Sequence, residues 1–455
     1  MSSSLESQPE NYLSNPSELR LRGAFKSKKT PMPEIDMKKN TLQRVLKFRI
    51  YPTKEQESIL HQSFNASVEI YNRCLEMKKK DWDAKKKAYE DSGSEDKFSK
   101  WLKDNKMSIL SVYETKKEIK NWRKEHPWLE EASSQLLHQA ALNLDTAFQN
   151  FFRNVKKGEK AGFPKFKSKR HGRKSFAVDS AKIHWSKSRL QLPKLESLIK
   201  IKIHRTELVI NKKTVDLIDA IKKGKAETKT ITISTNPSGE YYASVNIRIE
   251  GEEPKKKKFN EKNTVGIDLG TKTFAVFSDG KEINNPKHFK ATHKKLAKAQ
   301  RRMSRKKLGS KNYHKQKNKV AKIWQKINND RDDFLHKVSN EIISDKKINA
   351  VALETLDIKG MQQKNTYLAS SISDASWFNF KTKMSYKAER QGKTILNIGK
   401  FEPTSMTCSK CNYKMEEKLK LHVRTWTCPK CKTVLDRDIN AAKNIKKIAL
   451  KEHKV

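Results

Sequence analysis

The chain has 455 residues, with 99 Lys and Arg against 52 Asp and Glu, a formal net charge of +47. That length suffices for about two to four domains. A folded chain with this much like charge repels itself unless a polyanion neutralises it, which favours nucleic acid as a partner. No stretch approaches the roughly 20 apolar residues of a membrane span. Residues 1–14 lack the basic and apolar regions of a secretory signal, so we expect a protein that is neither secreted nor membrane-bound.

The first element predicted along the chain is a strand. Residues 1–40 mix Ser, Pro, Asn, Glu and Lys without periodicity and are predicted to form a disordered tail. Residues 44–51 then alternate basic and apolar side chains until Pro52, the pattern of a strand with one charged face. Such a ribbon suits a sheet lying on a phosphate backbone, although a half-solvated strand has the same pattern.

A helical region is predicted from residue 53 to residue 155. Thr53 and Gln56 have the spacing of a capping box. Residues 92–96 interrupt the helical pattern as a loop. Two sets of apolar residues recur at helical spacing and predict the core of a helical domain: Ile59, Leu60, Phe64, Val68, Tyr71 and Leu75, then Leu136, Leu137, Ala140, Leu144, Phe148, Phe151 and Phe152.

Strands are predicted again after this helical insert. Residues 200–204, 228–235 and 241–249 alternate like sheet strands, and the turn 236–239 joins the last two. Together with the strand at 44–51, they predict one β domain that the helical region interrupts.

The segment before these strands, residues 162–178, interleaves aromatic and basic residues. Phe163 and Phe166 could stack unpaired bases or could equally pack in a core. The neighbouring cations are predicted to contact RNA: Lys165, Lys167, Lys169 and Arg170.

A charged linker, residues 251–263, marks a predicted domain boundary. Its run of four Lys after Pro254 fits a nuclear-import signal, and such runs are also common in basic proteins. Localisation therefore stays open between the nucleus, for a eukaryotic or viral protein, and the cytoplasm, for a prokaryotic one.

The first candidate catalytic residue is Asp268. Residues 265–280 predict a strand, a tight turn at Gly270, a second strand and an Asp279-Gly280 turn. Asp268 lies inside the apolar run of the first strand, where a carboxylate is costly unless a cation compensates it. Mg²⁺ is the natural cation for such an oxygen ligand. Sugar kinases and actins begin with a similar hairpin, so this feature alone leaves the function open.

Two further acids repeat this arrangement. Glu354 ends the buried strand 348–353, and Asp438 stands near the start of an amphipathic helix in LDRDINAAKNIKKIAL. Either Asp436 or Asp438 could cap that helix. Three acids on three apolar elements are what a two-metal phosphodiesterase requires.

A basic arm is predicted between the first two acids. Residues 283–329 contain no acidic residue, and their helical pattern breaks at 308–310. A solvated face would normally intersperse Glu with Lys, so we interpret these two helices as a nucleic-acid contact. The predicted contact residues are Arg301, Arg302, Arg305 and Lys306.

Four of the five cysteines predict a zinc site. The pairs Cys408/Cys411 and Cys428/Cys431 are separated by 16 residues, the spacing of a zinc ribbon. A site of four thiolates is closed and structural. A redox CxxC pair is the alternative, which two pairs at this spacing disfavour. Cys74 is predicted to be a core thiol.

Several of these segments resemble the transposon-encoded TnpB proteins and their eukaryotic and viral relatives, the Fanzor proteins. The resemblance rests on GIDLGTKTFAVFSDG, AVALETLDIKGM, TSMTCSKCNYK and TWTCPKCKTVLDRDINAAKNI, in that order, with LKFRIYPTKEQE and AGFPKFKSKRH before them. It covers roughly residues 44–450. Asn412 stands where many relatives have Gly, and Asn tolerates a positive φ, so we expect the knuckle to form.

The resemblance implies a multidomain α/β fold. A RuvC-type, RNase H-like nuclease domain would span 260–404, with a zinc ribbon at 405–434 and its C-terminal segment at 435–455. A β-barrel wedge domain would comprise 41–52 and 156–255, and 53–155 would be a helical recognition domain.

The resemblance also implies the chemistry. The catalytic triad falls on Asp268, Glu354 and Asp438, which would bind two Mg²⁺ ions, and the zinc ligands fall on the four paired cysteines. A noncoding guide RNA of the element would direct the protein to double-stranded DNA beside a short motif, and the protein would cut it.

Two alternatives remain. A guided DNA-binding protein that does not cut would share most features, although the presence of all three acids argues against it. A resolvase or transposase would share the fold, but the helical insert, the zinc ribbon and the +47 charge fit a bound structured RNA better.

Overall fold

The computed structural model describes residues 41–94, 100–101, 104–105, 110–159, 161–169, 174–204, 206–210, 213–364, 366–400, 402–417, 419 and 423–453. The predicted tail 1–40, Arg170 and the end of the predicted loop 92–96 lie outside these residues. The chain divides into two compact units between Gly251 and Glu252.

The first unit is built on a seven-stranded antiparallel sheet of order β2-β8-β9-β1-β5-β4-β3, with β6 and β7 as a separate hairpin. Strand β1 pairs with β9 over ten residues and with β5 on its other side, so the earliest strand lies inside the sheet. The strands are β1 Thr41–Tyr51, β2 Lys174–Val178, β3 Lys182–His184, β4 Arg189–Gln191, β5 Ile199–Lys202, β6 Glu207–Ile210, β7 Lys213–Asp216, β8 Ala226–Thr235 and β9 Tyr241–Glu250.

The cations of β1 are partly occupied by the protein itself. Phe48 and Ile50 are buried in the core, as the alternation predicts. On the other face, Arg49 forms an ion pair with Glu240, and the Lys47 ammonium lies 4.2 Å from the centroid of the Tyr242 ring. Because contacts within the protein occupy both cations, they favour a half-solvated strand over a strand that binds a phosphate backbone at these two positions.

The helices of the first unit share one hydrophobic core with the sheet. The predicted capping box is confirmed: Gln56 N donates to Thr53 Oγ1 at 3.3 Å, and Thr53 N donates to Gln56 Oε1 at 3.0 Å. The ring centroid of Phe64 on the first helix lies 5.2 Å from that of Phe176 on β2. The helices are α1 Lys54–Asp91, α2 Val112–Glu125, α3 Ser134–Lys156 and α4 Leu217–Lys222, with a 3₁₀ helix at Pro127–Glu131.

The second unit contains a five-stranded mixed sheet of order β12-β11-β10-β13-β14 and a two-stranded ribbon, β15-β16. The pairs β10–β13 and β13–β14 are parallel, and the pairs β10–β11 and β11–β12 are antiparallel. Because β10 and β13 are parallel neighbours, their carboxyl ends meet at one edge. The strands are β10 Thr264–Leu269, β11 Thr273–Phe277, β12 Glu282–Asn284, β13 Ala350–Glu354, β14 Thr394–Ile398, β15 Thr425–Thr427 and β16 Val434–Asp436.

Helices cover both faces of this mixed sheet. On one face Val351 and Leu353 pack with α6 and α9, and on the other Ala350 and Ala352 pack with α10, as alternate strand residues require. No helix in the described ranges has both the length and the apolar character of a membrane span. The helices are α5 His288–Ser304, α6 Lys311–Ser344, α7 Ile358–Lys364, α8 Thr366–Ala375, α9 Trp377–Arg390 and α10 Arg437–Glu452.

Helix α10 approaches strand β10 closely at Gly266. A Cβ atom built on Gly266 would lie 2.1 Å from the carbonyl oxygen of Ala442 and 2.9 Å from Lys446 Cβ. No residue with a side chain fits there without moving the helix. Glycine in the middle of β10 is therefore what allows α10 to lie directly on the sheet.

We expect Gly266→Ala to lower the free energy of unfolding by about 1–3 kcal/mol, the usual cost of forcing an extra group into a packed contact. Chemical denaturation followed by tryptophan fluorescence measures this. Gly162→Ala is the control, since no atom lies within 4 Å of its added Cβ and its φ is not positive. Equal stability of the two variants would contradict the close approach of α10.

Candidate functional site

The three predicted carboxylates meet at one edge of the mixed sheet. Asp268 is next to last in β10, Glu354 ends β13, and Asp438 lies in the first turn of α10. The choice between the two acids at this helix start is settled by hydrogen bonds. Asp436 Oδ1 accepts from the backbone N–H groups of Asp438 and Ile439, both at 2.9 Å. Asp436 is therefore the cap, and the Asp438 side chain is available to the cluster.

The electrostatics show that the three acids act on one another. Burial, then the carboxylates of Asp438 and Glu354, raise the pKa of Asp268 to about 7. Burial also raises the pKa of Glu354; Lys381 opposes this shift, and Glu402 adds to it. Such mutual repulsion disfavours three ionised carboxylates unless a cation joins them.

Three cations of the chain contact this cluster, and motif reasoning did not find them. Arg424 Nη1 donates to Asp438 Oδ2 at 2.6 Å, and Arg437 Nε donates to Asp438 Oδ1 at 2.9 Å. The Lys381 ammonium donates to the backbone oxygen of Glu354. Arg437 adjoins Asp438 in sequence, which could have indicated it. Arg424 and Lys381 carry no sequence signal, because only folding brings them to the acids.

The donor set fits a hard divalent cation. Carboxylate oxygens are the ligands that Mg²⁺ prefers, and an acid with a raised pKa gains most from a neighbouring cation. Arg424 Nη1 lies against Asp438 Oδ2, and Nε and Nη2 of Arg437 lie against Oδ1; a carboxylate has about four acceptor positions, so capacity remains for a metal.

The raised pKa of Asp268 predicts a stability effect in metal-free protein. Folding favours the protonated form of Asp268. The stability that this form provides is fully present below the unfolded pKa and is lost as pH rises through about 7. In chelator at about pH 8, Asp268→Asn should therefore be more stable than wild type, on the order of 4 kcal/mol, with no difference near about pH 4.

Thermal unfolding at both pH values measures this difference. Addition of Mg²⁺ at about pH 8 should raise the Tm of wild type and leave that of Asp268→Asn unchanged. A wild-type Tm that does not respond to Mg²⁺ would mean that the acids do not form a metal site.

The four paired cysteines form one compact cluster. Their Sγ atoms all lie within 4.8 Å of one another. Cys408 and Cys431 are 3.7 Å apart at sulfur, and Cys411 and Cys428 are 3.6 Å apart. Zn–S bonds of about 2.3 Å in a tetrahedron place sulfur atoms about 3.8 Å apart, so the cluster fits a zinc ion.

The two knuckles have matching backbone geometry. Asn412 has φ +59° and Lys432 has φ +56°, so both residues that follow a second cysteine are left-handed. Asn412 N donates to Cys408 O, and Lys432 N donates to Cys428 O, each at 2.9 Å. The expectation that Asn412 permits the knuckle is confirmed.

Two buried asparagines join the ribbon to the helix that bears Asp438. Asn440 Oδ1 accepts from Ser409 N at 2.8 Å, and its Nδ2 donates to Thr407 O at 2.8 Å. Asn444 Nδ2 donates to Thr404 O at 2.7 Å. The segment that enters the ribbon is thus held on α10, and the ribbon's Arg424 reaches Asp438.

We expect each Cys→Ser change at 408, 411, 428 or 431 to remove one equivalent of zinc per chain and to unfold the ribbon, because metal binding supplies the folding free energy of so small a module. Metal analysis by mass spectrometry and protease sensitivity of the ribbon measure this. Cys74→Ala is the matched control, since Cys74 is buried in the first unit, and it should keep its zinc. If metal analysis finds no zinc in purified wild-type protein, the assignment of the four cysteines as zinc ligands would be contradicted.

The predicted contacts in the segment 161–169 have different surroundings. The ring centroids of Phe163 and Phe148 are 5.2 Å apart, whereas the Phe166 ring is exposed. The Lys167 ammonium lies 3.6 Å from the Tyr71 ring centroid, and Lys169 forms a 2.6 Å ion pair with Glu69. Phe163 is therefore a core residue, and Lys165 and Phe166 are the more accessible positions.

The predicted basic arm consists of α5 and α6. A small core of its own, with Leu296, Val320 and Ile327, holds the two helices together. Asp374 fixes the start of α5, because both of its oxygens accept from Phe289 N and Oδ1 also accepts from Arg331 Nε at 2.6 Å. The predicted contact residues Arg301, Arg302, Arg305 and Lys306 are exposed, and within the described ranges they form no ion pair.

Comparison with known families supports the resemblance found in the motifs. The OrfB_IS605 family, described as "Probable transposase", matches residues 246–365, and the "Cas12f1-like, TNB domain" family matches residues 377–445. A family described as "Helix-turn-helix domain" matches residues 37–87, where the structure has strand β1 and most of the long helix α1.

Two relatives and one solved structure align over most of the chain. A Streptomyces pristinaespiralis protein named "Putative RNA-guided DNA endonuclease" is 31% identical over 404 residues, 89% of each chain. "TnpB-like protein L79" of Acanthamoeba polyphaga mimivirus is 25% identical over 94% of this chain and 76% of its own length. The protein in a structure titled "Cryo-EM structure of the Cas12f1-sgRNA-target DNA complex" has a TM-score of 0.50 at 15% identity, over 90% of this chain and 99% of that one.

The structural likeness defines the class: the fold is that of the RuvC-containing Cas12f proteins, so the predicted multidomain α/β fold is confirmed at that level. The sequence likeness then defines the family. The chain belongs to the TnpB/Fanzor family of transposon-associated proteins, as its motifs predicted.

Proposed function

We propose that the protein is an RNA-guided, metal-dependent DNA endonuclease. The observation that carries the proposal is the convergence of Asp268, Glu354 and Asp438 at one sheet edge, where burial and then the other two carboxylates raise the pKa of Asp268 to about 7. A protein that only binds DNA has no need for three mutually repelling acids at a strand edge. The name of the Streptomyces pristinaespiralis relative points to the same activity.

The chemistry is phosphodiester hydrolysis of the RuvC type. Two Mg²⁺ ions held by the three acids would activate the attacking water and stabilise the leaving oxygen. Asp436 caps α10 and so fixes the position of Asp438. Arg424 and Arg437 orient the Asp438 carboxylate. Lys381 fixes the end of β13 through Glu354.

The rest of the chain would bind nucleic acid. Residues 41–52 and 156–255 correspond to a wedge domain and 53–155 to a recognition domain, while 260–404 and 435–455 form the RuvC domain around a structural zinc ribbon at 405–434. The arm cations from Arg301 to Lys306, together with the segment around Lys165, would bind phosphates of the guide RNA or the DNA. Phosphate contacts position a strand without reading its sequence, so guide pairing would supply the specificity.

The test uses the full chain purified with the RNA of its own element. Asp268→Ala, Glu354→Ala and Asp438→Ala should each abolish cutting of matched double-stranded DNA in Mg²⁺ and leave RNA binding intact, because metal ligands act as a unit. Asp436→Asn is the matched control. It retains a capping oxygen next to the cluster, so we expect nearly full cleavage.

Replacing the guide segment of the RNA should redirect cutting to a new site beside the same short motif. Guided binding without cutting by the wild type would support the non-cleaving alternative. Selective cutting of the original site after RNase treatment would support the resolvase or transposase alternative.

A further inference from the structure

The helices that follow Glu354 expose an aromatic ring on a rigid support. Phe378 is 71% exposed in the first turn of α9. Its neighbours Trp377 and Phe380 are buried, so they anchor this turn of the helix to the core. A ring this exposed adds little to the packing among the described residues of the second unit, and it is accessible to a ligand.

Phe378 lies on the same helix as Lys381, one of the cations that contact the acidic cluster. Lys381 follows three residues later, and residues at this spacing are neighbours on a helix surface. The Lys381 ammonium donates to the backbone oxygen of Glu354. The exposed ring is therefore one helical turn from the residue that contacts the end of β13.

A polar cavity of about 210 Å³ lies next to the same turn. Its lining residues come from α6 and from the start of α9: Asn328, Asn329, Arg331, Asp332, Leu335, Ser376 and Asn379. In the part of the chain that the structure describes, no hydrogen bond engages the side-chain amides of Asn328, Asn329 and Asn379. Each amide offers both donors and an acceptor.

The charges of the cavity decide which part of a nucleotide fits. Arg331 is paired with Asp374 at 2.6 Å, and Asp332 is paired with Lys383 at 2.7 Å. No unpaired cation among the described lining residues is left to bind a phosphate. Amides that donate and accept match the edge of a nucleobase instead, and an exposed ring matches its face.

We propose that this turn of α9 and the amide cavity bind bases of the DNA strand that is cut. One base stacks on Phe378, and a neighbouring base places its edge against Asn328, Asn329 and Asn379. The proposal rests on the proposed nuclease function and adds the residues that position the strand at the acids. Stacking tolerates any base, as a nuclease directed by a guide requires.

The test compares Phe378→Ala, Phe378→Leu and Phe378→Trp in the full RNA-bound protein. Pairing with the guide dominates target binding, so affinity for matched DNA should be unchanged in all three. The single-turnover rate of cutting should fall about tenfold in the Ala and Leu variants, the order expected from losing one base–aromatic stack. Trp restores a stacking surface and should restore the rate.

Substrates with one abasic residue near the cut site give the second readout. Wild type should cut slowly when the base that stacks on Phe378 is missing, and Phe378→Ala should be insensitive to that position. Tyr367→Ala removes a ring that is 95% exposed on α8, outside the turn of α9 that carries Phe378 and Asn379, and it should cut at the wild-type rate.

Wild-type rates in Phe378→Ala, or an equal loss in Tyr367→Ala, would overturn this proposal while leaving the nuclease function intact. Failure of the wild type to cut any matched DNA would instead contradict the nuclease function itself. Asn329→Ala with Asn379→Ala tests the cavity alone, and an unchanged rate there would also overturn the assignment.

Discussion

The second unit depends on the close contact between α10 and β10 at Gly266. Without a side chain at this position, the carbonyl of Ala442 approaches the strand to a distance that a Cβ would prevent. This contact sets the height of α10 above the sheet, and Asp438 stands in the first turn of α10. The distance between Asp438 and Asp268 is therefore decided by a glycine two residues before Asp268 in the same strand.

The position of α10 also determines the position of the segment that contains the four paired cysteines. Asn440 and Asn444 are buried and bind backbone groups of the segment that enters the ribbon, so the ribbon and α10 are positioned together. Arg424, directly before strand β15, then reaches Asp438. A four-cysteine cluster that lies outside the acidic site thus determines the surroundings of Asp438, one of the three acids. Asn440 and Asn444, the two asparagines of the NAAKN motif, form the hydrogen bonds that connect the ribbon to α10.

Local pattern predicted the elements that carry the acids and the cysteines. A carboxylate inside an apolar strand and two CxxC pairs are recognisable without a structure, and Asp268 and Cys408 were found in this way. Contacts between distant segments were not predictable: Arg424, Lys381 and Asn379 look like ordinary surface residues in sequence. The alternation of polar and apolar residues also did not predict the shortest strands of the first unit. A strand of three residues, such as 182–184, is too short to show that pattern. Whether Asp436 or Asp438 capped the helix depended on side-chain direction, which spacing alone does not contain.

The distribution of charge explains how an acidic cluster exists in so basic a chain. The arm from residue 283 to residue 329 contains no acid, and among its described cations only Lys326 pairs with an acid on the same helices, Asp330. At the sheet edge the reverse holds, because three acids converge and Arg424, Arg437 and Lys381 compensate only part of their repulsion. A polyanion attracted by the arm would therefore be repelled at the acids unless cations accompanied it. If the proposed nuclease function holds, this separation of charge in the second unit would make a divalent cation part of substrate binding as well as of the chemistry.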